Sequence, residues 1–158
     1  MIYLKWLRIF FIFPLLLVSM AGTAQANWEI DSVGLSGKCA LVSPELKVDD
    51  GQGETRMRLK LNRDQLLVTT KSNIDSTMND IGLKVDDKDF IFVSQVSETT
   101  HVVFSNDRIE TIIKQFIAGR QVTIHLRFWP TWPTTGVKKA EFSLIGFTKA
   151  LKAFAQCE

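Results

Sequence analysis

The chain has 158 residues, of which 46% are hydrophobic and 23% charged, and a formal net charge of +2. That is enough for one domain with a sizeable core. It excludes a nucleic-acid partner, because no basic stripe is present to displace counterions from phosphates.

The chain begins with Lys5 and Arg8, followed by the apolar run 9–18, which only Pro14 interrupts. Then comes "SMAGTAQA", in which Ala24 and Ala26 form an A-x-A signature. This is the pattern of a secretory signal peptide cut after Ala26. The run is shorter than the roughly 20 residues that cross a bilayer, so no stable membrane anchor is expected after cleavage. The expected organisation is a signal at 1–26 and one domain at 27–158. Lys5 and Arg8 leave with the signal, and the 19 Lys+Arg then fall to match the 17 Asp+Glu. The expected location is periplasmic or secreted.

Cys39 and Cys157 are the two cysteines. In an oxidising compartment an even pair reads as one disulfide, here closing almost the whole domain. The alternatives are a redox pair, which lacks the usual C-x-x-C, and two buried thiols.

"NWEIDSVG" and "GKCALVS" read as two strands around a Gly-Leu-Ser-Gly turn, with Trp28 in the core. "SPELKVDDGQGE" reads as a loop. "TRMRLKLNR" alternates Met57, Leu59 and Leu61 with Arg56, Arg58 and Lys60, the period of a half-buried strand. "QLLVTTKS" completes a hairpin through the Asn62–Asp64 turn, and "SNIDSTMND" is a second polar loop. "IGLKVD", "DFIFVSQ" and "THVVFS" each read as a strand. Ile109, Ile112, Ile113, Phe116 and Ile117 then make one helical stripe, with Asp107 the expected N-cap, Glu110 its capping-box partner and Gly119 the stop. "QVTIHLRFW" and "VKKAEFSL" return to strand period around the loop "PTWPTTG". Phe147, Ala150, Leu151 and Phe154 share one face of a C-terminal helix, and Cys157 continues that face. About eight strands joined by short polar turns predict an antiparallel β-sandwich with two short peripheral helices, one of them C-terminal.

"IGLKVDD", "DRIETIIKQFIAGRQVTI" and "FSLIGFTKAL", in that order, resemble the invasion-associated locus B family of exported bacterial proteins. Residues 81–87, 108–124 and 142–151 carry the likeness. A weaker similarity is to accessory proteins of type VI secretion. Many members of the first family have a Gly-Cys pair before the apolar helix, where this chain reads "SETTHVVFS". The resemblance implies an all-β, non-enzymatic protein with a cell-envelope or host-interaction role, and it brings no catalytic site to transfer.

The residues themselves offer no catalytic, cofactor or metal motif. His101 and His125 are the only histidines, both in expected strands, and no serine is framed as an activated nucleophile. They read as solvent-facing strand residues. "DDGQGE" has oxygen ligands beside glycines but not the full alternation of a calcium loop, so it reads as a solvated turn.

Two features are candidates for partner contact. Trp129 and Trp132 lie among prolines in "RFWPTWPTTG", where a stiffened loop could present two indoles to a peptide, a glycan or a membrane interface, or fold them back to cap the core. Arg56, Arg58 and Lys60 form a cationic strand face that could draw an acidic partner or anionic lipid headgroups, or simply be a solvated face that guards the sheet. The expected function is an exported binding or accessory protein of the bacterial envelope, meeting an envelope or host protein or a glycan. The alternatives are a subunit of a secretion or envelope assembly, and a hydrolase of unrecognised type using His101 or His125. Oligomeric state is open.

Overall fold

The computed structural model describes residues 28–31, 39–130 and 136–157. The expected signal peptide, its cleavage point, the Gly34–Gly37 turn and Trp132 lie outside the described residues.

Eleven strands and two helices are described. In chain order they are β1 (Glu29–Asp31), β2 (Ala40–Val42), β3 (Leu46–Asp49), β4 (Glu54–Leu61), β5 (Gln65–Thr69), β6 (Gly82–Val85), β7 (Ile91–Phe92), β8 (Gln95–Ser97), β9 (His101–Ser105), α1 (Ile109–Ala118), β10 (Gln121–Leu126), β11 (Lys138–Ser143) and α2 (Phe147–Phe154). The large sheet runs β1-β2-β4-β5-β9-β8, with β3 also on β4, and the small sheet runs β11-β10-β6-β7. Every pairing is antiparallel. The inner faces share one core, including Leu59, Val68, Val102 and Phe104 of the large sheet and Leu83, Val85, Ile124 and Phe142 of the small one. This is the expected sandwich.

The burial of β4 follows its sequence period: Thr55, Met57, Leu59 and Leu61 are buried between Glu54, Arg56, Arg58 and Lys60. Its neighbour corrects the expected loop over 43–54. Leu46 and Val48 alternate with polar residues, and β3 pairs with β4 from Leu46↔Met57 to Asp49↔Glu54. β2 and β3 pair with the same side of β4 and are separated at Pro44, which has no N–H for the ladder. Ser43 mends the break: its N–H donates to the Leu59 oxygen at 2.9 Å, and its hydroxyl accepts the Leu59 N–H at 2.9 Å.

"DFIFVSQ" is likewise not one strand. β7 belongs to the small sheet and β8 to the large one, and the chain crosses between them at Val93–Ser94. The Val93 N–H still reaches Ile81 in the first sheet, while the Ser94 N–H reaches Val103 in the second. The Arg108 guanidinium holds the corner by donating to the carbonyl oxygens of Phe92 and Val93.

α1 starts differently from expectation. A 3-10 turn at Asn106–Arg108 precedes it, and the N-cap position is Arg108, without a side-chain cap. Glu110 does not close a capping box; it bonds Lys114 one turn on, at 2.6 Å. Gly119 does end α1, in an extended conformation at φ −95°. Its lack of a side chain serves packing, since a Cβ there would lie 2.4 Å from a Val85 methyl.

The helices close one end of the sandwich. Trp28 is 7% exposed and packs against Phe147 and Phe116, with ring centroids at 5.0 and 6.3 Å. Its indole N–H donates to the Ser143 oxygen at 3.0 Å, satisfying the one polar atom of a buried aromatic. Cys39 and Cys157 are disulfide-bonded, with Cα atoms 6.1 Å apart, so the chain just past α2 is tied to the residue before β2. The bond fits an oxidising, extracytoplasmic environment. Among the described residues no helix is long and apolar enough to cross a membrane.

Candidate binding face

Loops gather at the end of the sandwich away from the helices. The β3–β4 turn is tied to the segment after β5 by Ser72, whose hydroxyl donates to Asp50 at 2.5 Å. That segment reaches the β8–β9 turn, where the Ile74 N–H donates to the Thr99 oxygen. It also lines up with the chain leaving β10. The Asp75 N–H donates to the Arg127 oxygen, the Trp129 N–H donates to the Asn73 oxygen, and Ile74 bridges to Phe128.

This short pairing extends the strand alternation of β10 past its end. Leu126 and Phe128 point into the core, with Phe128 only 3% exposed, while Arg127 and Trp129 fall in the outward series. Trp129 is therefore 61% exposed and does not cap the core. The Trp129–Pro130 peptide is cis. Arg127 holds Asp80 in a two-pronged ion pair, with Nε–Oδ1 at 2.9 Å and Nη2–Oδ2 at 2.6 Å. The guanidinium holds the Asp80 carboxyl below its ordinary value, and Asp80 in turn raises Arg127.

Beside this pair, the outer face of the small sheet carries an aromatic trough. Gly82 stands between Phe92 on β7 and His125 on β10 in the strand register. With no side chain at Gly82, the Phe90 ring occupies the space, and a Cβ there would lie 2.5 Å from it. The Phe90 ring centroid is 4.9 Å from that of Phe92 and 5.2 Å from that of His125, with interplanar angles of 69° and 73°. Phe90 thus forms the floor, and Phe92 and His125 the two walls. The groove holds about 450 Å³ and is completed by Asn79, Asp80 and Val137. A second groove of about 270 Å³, toward Arg108 and Thr111, shares Phe90 and Phe92. Phe92 is 54% exposed.

His125 titrates below the ordinary imidazole value. Burial is the main cause, Lys139 and Lys84 push the same way, and Asp80 opposes them. The ring is therefore neutral at physiological pH.

The cationic strand face is matched within the chain. Arg56 and Arg58 both reach Glu45, at 3.1 and 3.8 Å, and Lys60 reaches Asp31 at 3.0 Å. His101 lies on the large sheet, where Nδ1 is 3.0 Å from the Thr100 hydroxyl and 3.8 Å from Glu98. In "DDGQGE" the carboxylates are taken up locally. Asp49 accepts from the Gly51 N–H and from Lys138, and Asp50 accepts from the Gln52 and Gly53 N–H groups. Among the described residues no three His, Cys, Asp or Glu gather as a metal ion requires. The structure places Trp129 on the loop end and the Arg56 row on the large sheet, so the two expected contact features are separate surfaces.

The trough was missed in the sequence. Its signal was present: "DFIFV" puts Phe90 and Phe92 on one side of a strand and Ile91 and Val93 on the other. Only one side of a sandwich strand meets the core, so the other must present its apolar residues outward.

No family model, curated protein or solved structure matches this chain.

Proposed function

We propose that this chain is an exported, non-enzymatic binding or accessory protein of the bacterial envelope, periplasmic or secreted after loss of residues 1–26, that meets its partner through the end bearing Trp129. One observation carries the reading. Trp129 is 61% exposed on backbone pinned by hydrogen bonds on both sides of Ile74. A large exposed indole on fixed backbone offers contact area at low entropic cost. The disulfide and the signal-like start support export, and the resemblance to the invasion-associated locus B family supports an envelope or host-facing role. The test is photo-crosslinking in living cells from position 129, with Lys114 on the opposite end as control. A discrete adduct specific to position 129 supports the reading, and equal or no adducts at both positions overturn it.

His125 gives a second reading its footing, a hydrolase with neutral His125 as base and Asp80 nearby, since both line one groove. Turnover of an ester or glycoside panel that His125→Gln abolishes would replace the first reading with this one.

A further inference from the structure

Resting on the reading of this chain as a binding protein, we infer that the trough between Phe92 and His125 takes a ring-shaped ligand group carrying a negative charge. The volume, about 450 Å³, falls within the range of small-ligand sites. Two aromatic walls standing steeply on an aromatic floor accept a flat or chair-shaped ring better than a flexible chain. Val137 extends the apolar lining, and Asn79 supplies a polar edge that fixes orientation.

The charge comes from the strands beside the trough. Lys139 is the cross-strand neighbour of His125, and Lys84 is the cross-strand neighbour of Thr123 on the same outward face. Neither lysine has an ion-pair partner among the described residues. Both act on the His125 ring, so their field reaches the trough. Two carboxylates share this face: Asp80 lines the trough but is matched by Arg127, and Glu141, two residues along β11 from Lys139 and across Thr123 from Lys84, lies outside the lining and offsets one of the two lysine charges. Unmatched cations beside an apolar cleft attract anions and fix which end of the ligand faces the strands. An aromatic carboxylate and an acidic sugar share this chemistry.

The test titrates the full chain, expressed for export and purified with its disulfide formed, with three probes followed by amide resonances. Phenylacetate is the aromatic anion, 2-phenylethanol its neutral counterpart, and glucuronate the acidic sugar. The expected result is saturable shifts at Gly82, Phe92 and His125 with one anion. Phenylacetate alone names the aromatic source, and glucuronate alone names the sugar. The anion should bind about fivefold or more tighter than 2-phenylethanol, and Lys84→Gln with Lys139→Gln should remove that advantage. Phe92→Ala, at a position 54% exposed, should abolish binding with the fold intact. Failure of both anions to saturate, or equal binding of the neutral probe, overturns the inference. A crosslinked partner at position 129 together with such a failure would remove this ligand and leave the binding-protein reading standing.

Discussion

Phe90 lies where a side chain on residue 82 would be: a Cβ on Gly82 would sit 2.5 Å from the Phe90 ring and 2.3 Å from the Ile91 oxygen. The glycine makes the aromatic trough, and the two residues form one unit although they lie on different parts of the chain. Gly82→Ala must therefore push both Phe90 and the backbone of β7. The expected cost is about 1–3 kcal/mol, typical of overpacking, read from urea denaturation midpoints. Amide shifts confined to residues near Phe90, Phe92 and His125 would accompany it. Unchanged stability and unchanged shifts would show that Phe90 is not held over Gly82.

The Cys39–Cys157 bond spans a sequence separation of 118. A loop of that size contributes about 4–5 kcal/mol by restricting the unfolded chain, an upper figure. Cys157→Ser, or reduction of the native protein, should lower the denaturation midpoint by a large fraction of total stability. Alkylation without reduction should label no thiol. A mass carrying two modified cysteines would refute the bond.

Asp80 has its carboxyl lowered by Arg127 from an ordinary value of 3.8. A lowered folded-state pKa means stability that is present above the unfolded value and lost as pH falls through the folded one. The pair is partly exposed, with Asp80 at 40%, so solvent screening keeps the effect within about 1 kcal/mol. Stability should fall as pH drops below the ordinary aspartate range, and Asp80→Asn should flatten that part of the profile. An identical acid slope in Asp80→Asn would remove the pair from the account.

Trp129→Ala should leave the denaturation midpoint within about 0.5 kcal/mol of the parent, because the indole is 61% exposed. Phe147→Ala, in the ring cluster with Trp28 and Phe116, should cost about 3–5 kcal/mol. Thermal or urea unfolding of the two variants checks the contrast. A large loss at Trp129 would mean that it supports the fold after all.

Much of the fold was legible in local pattern. The period of two along 55–61 marked β4, and the spacing of Ile109, Ile112 and Phe116 marked α1. Two elements differ from the local pattern, each for its own reason. In "ELKVDD" the alternation of Leu46 and Val48 is real but short, and the neighbouring Pro44 and Gly51 masked it as loop. In "DFIFVSQ" a strand-like stretch hid the crossover at Val93–Ser94, because which sheet each half joins is set by long-range pairing. Asp107 failed as a cap because the chain enters α1 through a 3-10 turn that uses up that position.

The sequence by itself determined the class of fold, the disulfide and much of the core, since each rests on neighbours in the chain or on a choice of one pairing. Tertiary structure alone decided what those elements expose. Phe90, Gly82 and His125 meet only because β6 lies between β7 and β10, and Trp129 turns outward only because residues 73–75 pair with 127–129. Alternation gives each strand two faces, but which neighbours stand beside each face is set by long-range pairing, which the local pattern does not encode.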